Sequence, residues 1–543
     1  MLIPALVLAA TLLDPSQRLQ QQLGGGEQHE YMLQLRTGAF ARVVVEQQGI
    51  DVVVSALAPD GRTLAEVDSP NGANGPEPVS IAATVKGGYR ITVRSFDAKA
   101  PAGKYTIRVD ELLSPAAYRQ RLAGEQRRDA AVVAWLKSRA LPLHSVSPGS
   151  RFSDLAPLRT LLRDVRVVGL GEATHGSHEL FTVKHRLIEL LVRELGFRVV
   201  AFEGSAAATG AINDYILGKG DRAPVLAAFD AIWITANDEL LAMIDWLREY
   251  NATAAEADRV HFAGLDPHVN GPAIDDLTRF LRAHAPGTGT RVQPLLDLLR
   301  SEDEKAGRFE RTSVPVERVH EIQRLIAFLV TNEGDFVRRG GQDDYARALD
   351  TARLLAQFAE FNSSLPAGEG GTRDGYMAAN LFRALQSRPE ARAIVWAHNA
   401  HISASDRSAY KPLGAHLRAA YGDAYYAFAT AFARGTFLAQ VPGSTPPDVR
   451  TFTITAPPAG SIDAMLAATN TGASIIDLRN ATPPDPRVAA WLAIPQRMHW
   501  IGALYTDSWT EAQRAQPFLL GHDFDGIIFL DKTIAARTRF GVR

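Results

Sequence analysis

The segment from residue 165 to residue 186, VRVVGLGEATHGSHELFTVKHR, holds carboxylate, imidazole and basic side chains close together. Glu172 and His175 follow directly on its apolar start. A neutral imidazole can take a proton from water near pH 7, and a carboxylate beside it can orient the ring and stabilise its protonated form. This pattern predicts hydrolysis by an activated water molecule, with His175 as the general base. Lys184 or Arg186 would then polarise a carbonyl group.

Four apolar runs of the chain end in ionisable residues, and helical patterns separate them. The runs are VRVVGLG, which leads to Glu172 and His175, RVVAFEG with Glu203, RVHFAGLDPH with Asp266 and His268, and RAIVWAHNAH with His398 and His401. This alternation is typical of a parallel sheet covered by helices. The carboxyl ends of parallel strands lie at one edge of the sheet, so we expect these side chains to form a single site. In that site, His398 and His401 would also hold a developing oxyanion.

A metal site is an open alternative for the same residues. His398 and His401 have H-x-x-H spacing, and together with Glu172 and His175 they could bind a divalent metal. The spacing differs from the H-E-x-x-H pattern of zinc peptidases, so it does not by itself indicate a metal. No cofactor is therefore expected, with a divalent metal as the alternative.

Other polar residues carry weaker signals. We expect His185 and His268 to be buried imidazoles that carboxylates satisfy. No G-x-S-x-G elbow follows a strand, which leaves Ser177 and Ser205 as poorly supported nucleophiles. The chain has no cysteine, and this excludes thiolate nucleophiles, cysteine zinc ligands and disulfides.

The chain is predicted to contain an α/β domain preceded by a small all-β domain. Short alternating runs from YMLQLR to KYTIRVDEL predict a β-sandwich accessory domain over residues 25–112. A helical linker is expected at 113–150. Residues 151–543 are expected to form the catalytic domain, a mostly parallel sheet flanked by helices. Its helical insert at 272–388 would roof the substrate site.

Composition and charge limit the partners and the compartment. The 543 residues carry a net charge of -2, so nothing indicates a nucleic-acid-binding surface. Residues 1–13, MLIPALVLAATLL, are too short to span a membrane and resemble the apolar core of a signal peptide. We expect a secreted or periplasmic protein, or a cytoplasmic one if this leader is not functional. We also expect no integral membrane segment, and no pattern indicates an oligomeric state.

Several longer motifs resemble the erythromycin esterase-like family. They are GLGEATHGSHELFTVKHRLIELLVRELGFRVVAFEG, GLDPH, RDGYMAAN, IVWAHNAHIS and KPLGAHLRAAYGDAYYAFATAFARGTF, in the family's order. The resemblance covers residues from about 165 to 535 and leaves out the β-rich region. That region, with the phrases GGYRITVRS and AGKYTIRV, resembles the pre-peptidase C-terminal type of accessory domain.

The resemblance implies roles for residues of this chain. His175 would activate water to open a macrolactone, with Glu172 and Glu203 as the active-site carboxylates. His398 and His401 match the family's paired histidines, and Lys184 and Arg186 match its basic residues, although Lys184 stands where characterised esterases have arginine. Asp266 and Arg373, which lie in GLDPH and RDGYMAAN, are expected to bind substrate.

The predicted function is hydrolysis of a small-molecule carboxylic ester or macrolactone by water that His175 activates. A macrolide substrate, as the resemblance implies, would connect the chain to antibiotic resistance. Two alternatives stay open: a metal-dependent hydrolase or peptidase that uses the His/Glu cluster, and a non-catalytic ligand-binding protein.

Overall fold

A computed structural model describes residues 10–69, 71–230, 233–268, 271–307, 312–365, 371–406, 411–479, 481–509 and 511–540. The chain divides into two compact units, one comprising Met1–Val132 and Ser508–Gln516, the other Val133–Asp507 and Pro517–Arg543. Among the helices of the described ranges, none has both the length and the apolar character needed to cross a bilayer.

The N-terminal unit contains a β-sandwich of two sheets. Its strands are β1 (Thr11–Leu12), β2 (Arg18–Leu23), β3 (Gln28–Leu35), β4 (Phe40–Gln48), β5 (Val52–Leu57), β6 (Thr63–Val67), β7 (Asn74–Ala82), β8 (Gly87–Ser95) and β9 (Gly103–Leu113). One sheet has the order β1-β3-β8-β5-β6 and the other has the order β2-β9-β4-β7. Apolar residues of both sheets, among them Leu33, Val43, Val54 and Ile107, form one buried core. The prediction of a small all-β sandwich is confirmed.

Three strands of this sandwich are absent from the sequence prediction. β1, β2 and β6 lie at sheet edges, where one side is exposed and the apolar alternation is weak. β1 and the buried Leu13 belong to the segment predicted as a signal peptide. Residues 1–9 of that segment lie outside the described residues.

Most strands after residue 113 belong to one large sheet in the second unit. They are β10 (Ala140–Pro142), β11 (Val167–Leu170), β12 (Phe197–Ser205), β13 (His261–Asp266), β14 (Arg392–Trp396), β15 (Tyr425–Gln440), β16 (Val449–Ile454), β17 (Ser474–Asp477), β18 (Gln496–His499), β19 (Ala515–Phe518) and β20 (Gly526–Thr533). The nine-stranded sheet has the order β10-β17-β20-β15-β11-β14-β12-β13, and β16 pairs with β15. The central strands from β20 to β13 are parallel, whereas β10, β16 and β17 pair antiparallel. The predicted mostly parallel sheet is confirmed.

Helices connect and cover these strands. They are α1 (Pro115–Arg139), α2 (Ala156–Leu161), α3 (His178–Leu195), α4 (Thr209–Ile216), α5 (Arg222–Asp230), α6 (Asp238–Thr253), α7 (Gly271–His284), α8 (Pro286–Gly307), α9 (Val316–Thr331), α10 (Glu333–Gly340), α11 (Gln342–Phe361), α12 (Arg373–Gln386), α13 (Asn399–Ile402), α14 (Leu413–Tyr421), α15 (Ile462–Ala468), α16 (Pro486–Leu492) and α17 (Glu511–Arg514). Three short 3-10 helices lie at Ser153–Leu155, Glu256–Asp258 and Gly422–Ala424.

The predicted insert and linker correspond only in part to the observed elements. Helices α7 to α12 occupy the segment predicted as a helical insert, and α7, α8, α9 and α11 share a buried apolar core of their own. α1 lies where a helical linker is predicted. The last part of that linker differs, because β10 pairs with β17 and so belongs to the large sheet.

Candidate active site

The four predicted strand ends meet in the structure. β11, β14, β12 and β13 are neighbours in the sheet. Leu170 of β11 and Phe202 of β12 both stand opposite Trp396 of β14, so β11 and β14 end at the level of Phe202, and β12 continues to Ser205. The polar residues at or just after the end of each strand are therefore brought to one edge, as expected of parallel strands.

Glu172 lies at the centre of one half of the site. His175 donates a hydrogen bond from Nδ1 to Glu172 Oε1 at 2.5 Å. The Lys184 ammonium and the Trp396 indole both donate to Glu172 Oε2, the indole at 2.8 Å. Lys184 also lies over the Trp396 ring, 3.8 Å from its centroid. Because Glu172 engages Nδ1, Nε2 is the basic nitrogen of a neutral His175.

Burial and charge have opposite effects on the pKa values of Glu172 and Lys184. Burial alone would raise the pKa of Glu172, but the charge of Lys184 and the hydrogen bond from His175 outweigh it and lower that pKa to about 2. Burial lowers the pKa of Lys184 to about 8, although Glu172 and Glu203 counteract part of the shift. Glu172 is therefore an anion at neutral pH, and Lys184 keeps its charge up to about pH 8.

Glu203 lies at the centre of the other half. Its Oε2 accepts the backbone N–H of His398 at 2.7 Å. Its Oε1 lies 3.1 Å from His401 Nε2 and 3.2 Å from Arg373 Nη2. These partners overcome the effect of burial and hold the pKa of Glu203 well below its usual range.

Asp374 belongs to the site but is missing from the sequence prediction. It is buried, and its two oxygens accept from His401 Nδ1 at 2.8 and 3.0 Å. It stands in the first turn of α12. Acidic residues are common there because the partial positive charge at the helix N-terminus stabilises a carboxylate. Only its position beside Arg373 in the motif RDGYMAAN could have suggested a role.

His401 faces two carboxylates. Burial would lower its pKa, but Glu203 and Asp374 raise that pKa to about 10, so the ring is an imidazolium at neutral pH. Arg373 Nη1 also lies 3.1 Å from His401 Nε2. A neutral His401 could accept from Arg373, but we favour the imidazolium because Asp266 already neutralises this guanidinium.

His398 has the opposite character. Burial, followed by the neighbouring His175, lowers its pKa to about 3, so the ring is neutral. Its Nδ1 accepts the backbone N–H of Ala400 at 3.2 Å, which places the ring proton on Nε2. Nε2 is 3.3 Å from the carbonyl oxygen of Ile501, and the His398 and His175 ring centroids are 5.3 Å apart. A neutral N–H donor therefore lies beside the proposed base.

The predicted metal set is not the set that the structure brings together. Among the described residues, ligand atoms of Glu172, His175 and Glu203 lie within 4.8 Å of one another, and His398 and His401 are not part of this group. His401 is instead held by its two carboxylates.

The oxygens of this group are already engaged by protein donors. Lys184 and His175 hold the two oxygens of Glu172, while His401 and the His398 backbone hold those of Glu203. A divalent cation would have to displace buried cations from both carboxylates. The residues therefore do not fit a metal.

The two predicted substrate-binding residues form an ion pair. Arg373 donates through Nε and Nη2 to Asp266, and Nε lies 3.1 Å from Oδ2. His268 lies 3.3 Å from Asp303 and 3.7 Å from Asp266, which agrees with the expected carboxylate partners. Together with Glu203, these residues line one end of a cavity that continues between apolar side chains.

Arg186 is the predicted site residue that the structure places elsewhere. Its guanidinium is 1% exposed and binds both oxygens of Asp154, at 2.6 and 3.0 Å, and the carbonyl oxygen of Ser145 at 2.6 Å. Lys184 and Arg186 are two positions apart on α3, about 200° around the helix, so they point in different directions. The expectation that Arg186 belongs to the site is therefore wrong. Arg186 forms a structural ion pair with Asp154.

Among the weaker candidates, the two serines have structural partners, whereas His185 Nε2 has no hydrogen-bond partner in the described part of the chain. His185 is buried as expected, but its Nε2 lies 3.8 Å from Glu189, beyond hydrogen-bond distance. The Ser177 hydroxyl contacts Thr533, and the Ser205 hydroxyl donates to the carbonyl of His268 at 2.8 Å. Neither serine has a histidine base among these contacts.

Gly171 allows the close packing at the end of β11. A Cβ atom at this position would lie 2.2 Å from Asn399 Oδ1 and 2.9 Å from the carbonyl oxygen of Phe428. The Asn399 amide is itself fixed, because it donates to Thr430 O and accepts from Thr430 N. A side chain at residue 171 would therefore push apart the loops that carry Glu172 and His398.

Known proteins match this chain in sequence and in fold. The chain is 28% identical over 317 residues to erythromycin esterase type II of Escherichia coli, covering 54% of this chain and 74% of that protein. A solved structure of a Bacillus cereus protein matches with a TM-score of 0.63 and 23% identity, over 76% of this chain and 99% of the other. A mutant erythromycin esterase, EreC, in its open conformation matches with a TM-score of 0.52 and 18% identity, over 72% and 97% of the two chains.

The family comparison covers most of the α/β unit. The sequence profile described as Erythromycin esterase matches residues 192–533, which is more than half of the 543 residues. Glu203, Asp266, Arg373, His398 and His401 lie inside the matched range. The chain therefore belongs to the erythromycin esterase family.

Proposed function

We propose that the protein hydrolyses a carboxylic ester or macrolactone with water that His175 activates. The observation that carries this proposal is the 2.5 Å hydrogen bond from His175 Nδ1 to the buried Glu172 carboxylate. It fixes the tautomer in which Nε2 is basic, as an orienting carboxylate does in a catalytic triad. Family membership supports a hydrolase, and the ester substrate and the role of His175 are our proposal.

The first step is attack by water. His175 Nε2 accepts a proton from a water molecule, and the water oxygen forms a bond to the ester carbonyl carbon. The carbonyl π electrons move to oxygen and give a tetrahedral oxyanion. Glu172 stabilises the imidazolium that forms, while Lys184 and Trp396 hold Glu172 in place.

The oxyanion needs a donor that is fixed before the reaction. His398 has a neutral Nε2–H beside His175, and Glu203 holds the His398 backbone at 2.7 Å. This N–H forms a long, 3.3 Å contact with the Ile501 carbonyl oxygen, and the oxyanion would share it or take it over. A preorganised donor of this type typically contributes about 10²–10³ in kcat. Arg373 and His401, which are paired with Asp266 and Asp374, lie at the same edge of the sheet.

The second step breaks the ester bond. The oxyanion electrons return to carbon, the bond between carbon and the leaving oxygen breaks, and the His175 imidazolium gives its proton to that oxygen. The products are a carboxylic acid and an alcohol. His175 returns to its neutral state, and no covalent enzyme intermediate forms.

The test is hydrolysis of a panel of macrolides and simple esters by the wild type and His175→Gln. We expect the wild type to cleave at least one ester and the variant to lose about 10²–10⁴ in kcat. Activity should be unchanged after treatment with a chelator, because protein donors already engage the carboxylate oxygens. Ala227→Leu, at an exposed position of α5, is the control substitution.

Three results would each count against a part of this proposal. Equal rates for the wild type and His175→Gln on a cleaved ester would exclude His175 as the base. Stoichiometric metal that is lost together with activity would favour a metal-dependent hydrolase. A protein that binds esters without cleaving any member of the panel would favour a non-catalytic binding protein.

A further inference from the structure

A cavity beside Glu203 has a charged end and an apolar wall. Glu203, Asp266, His268 and Arg373 line its charged end. The apolar wall comprises Phe202, Ala208, Ile212, Phe229, Ile234 and Ala306. These residues come from the end of β12, from α4, α5 and α8, and from the segment after α5.

The hydroxyl groups that line the cavity are already satisfied inside the protein. Ser205 donates to the His268 carbonyl at 2.8 Å, and Thr235 donates to the Phe229 carbonyl at 2.7 Å. Thr209 donates to the Ala206 carbonyl at 3.0 Å and accepts the Gly264 N–H at 2.8 Å. A polar ligand group on this wall would find few unused partners.

The charged end is paired in the same way. Arg373 binds Asp266 and Glu203, and His268 lies 3.3 Å from Asp303. A cationic or anionic ligand group would have to compete with these pairs. Burial of hydrocarbon is therefore the main gain that the cavity offers to a ligand.

Glu203 of β12 belongs both to the cavity and to the group of residues around His175. Glu203 lines the cavity and also lies, by its carboxylate, within 4.8 Å of ligand atoms of His175 and Glu172. Phe202, the preceding residue, has its ring 6.0 Å from that of Trp396, which donates to Glu172. A group bound along the wall would thus end beside the water that His175 activates.

We propose that this cavity binds a hydrocarbon group of the substrate, attached to the scissile ester on its acyl or its alkoxy side. The inference rests on the proposed ester hydrolysis and assigns substrate selection to the wall formed by α4, α5 and α8. Each methylene group that enters the cavity should raise kcat/KM by about fourfold, the usual gain for burying a CH₂ group.

The experiment compares two ester series with the full-length protein. One series is p-nitrophenyl esters from acetate to octanoate, and the other is alkyl acetates from methyl to octyl. We expect kcat/KM to rise with chain length in the series whose chain occupies the cavity. Ala208→Leu, which fills space at the wall, should lower kcat/KM for the longest chain at least about tenfold more than for acetate.

Two further variants make the comparison specific. Ala306→Leu narrows the same cavity from α8 and serves if Ala208→Leu does not fold. Ala227→Leu introduces the same side chain at an exposed position of α5 and should leave the chain-length dependence unchanged. A dependence that persists in both wall variants would overturn the inference.

A binding measurement separates this inference from the proposed function. Methyl ketones from 2-pentanone to 2-nonanone resemble esters but have no leaving group, and calorimetry records their Kd without turnover. We expect Kd to fall about fourfold per methylene in the wild type and not in Ala208→Leu.

The outcomes of the two measurements differ in what they exclude. Ketones that bind in this way without cleavage of any ester would contradict the function and support the cavity assignment. Esters that are cleaved without any dependence on chain length, and ketones that bind without it, would contradict the cavity assignment alone.

Discussion

The two halves of the site contain the same three kinds of side chain. Glu172 faces an imidazole, His175, and a cation, Lys184. Glu203 faces an imidazole, His401, and a cation, Arg373. All of these groups lie at the same edge of one sheet.

The difference between the halves is the number of carboxylates in direct contact with the imidazole. The hydrogen bond that holds His175 comes from one carboxylate, Glu172. His401 lies between Glu203 and Asp374, which keep it protonated with a pKa of about 10. One carboxylate orients a base, whereas two carboxylates convert an imidazole into a fixed cation. The residue types alone do not distinguish these roles.

Replacement of His175 should give the largest loss of kcat. His175→Ala removes the only proposed base, and we expect kcat to fall by about 10²–10⁴. His401→Ala removes a fixed charge and should cost less. Steady-state kinetics on one cleaved ester, with circular dichroism to check folding, would compare the two. A larger loss for His401→Ala would reverse our assignment of the halves.

Lys184→Met should have the next largest effect. It leaves Glu172 buried without its ammonium partner, so the pKa of Glu172 rises and the carboxylate orients His175 less well. A hydrogen bond to a charged group contributes about 1.5–3 kcal/mol, so we expect kcat to fall about 10- to 100-fold. Kinetics near pH 6, where Lys184 of the wild type is fully charged, would measure this loss. A kcat within twofold of wild type would show that Lys184 does not hold Glu172.

The conservative variant Lys184→Arg tests the charge through the pH profile. The pKa of Lys184 is lowered to about 8, so its charge is complete well below that pH and is lost as pH rises through it. Wild-type activity should therefore fall above about pH 8. Arginine stays charged over this range, so Lys184→Arg should retain activity there. If both proteins lost activity over the same alkaline pH range, the loss could not be due to deprotonation of Lys184.

Asp374→Asn should make the surroundings of His401 resemble those of His175. His401 would then face one carboxylate, and its pKa should fall by about 1–3 units from about 10. The His401 proton would be lost as pH rises through the lowered value, earlier than in the wild type. NMR titration of the His401 ring would measure this shift. At pH 6 the ring stays protonated, so we expect kcat to change less than about tenfold there. An unshifted His401 titration would mean that Asp374 does not set its charge.

Arg186→Met should have the smallest effect on turnover. It breaks the buried pair with Asp154, and loss of one partner of such a pair costs about 3–5 kcal/mol of unfolding free energy. Urea unfolding would measure this loss, and Asp154→Asn is the matched variant. The kcat of the folded fraction should stay within about twofold, because the guanidinium makes its hydrogen bonds with Asp154, Ser145 and Arg151. A stable variant with a large loss of kcat would return Arg186 to the site.

Local patterns in the sequence are sufficient to predict the overall architecture. Alternating apolar runs and amphipathic helices predicted the mostly parallel sheet, because the periods of strands and helices are properties of neighbouring residues. The residues at the ends of β11, β12 and β14, including Glu172, Glu203 and His398, were predicted to converge, because parallel strands end at one edge. Edge strands such as β1, β2 and β6 were missed, since one exposed side leaves little apolar alternation.

Partners that are distant in the sequence decided the roles of the site residues. Lys184 and Arg186 look equivalent in the sequence, and helix geometry indicates only that they point in different directions. Which of them enters the site depends on Asp154 and Trp396, which lie far from α3 in the chain and reach it only after folding. Asp374 likewise acquires its role through contact with His401. The sequence thus determined which groups could do chemistry, and the tertiary structure decided their charge, because charge at a buried site depends on the groups that surround it.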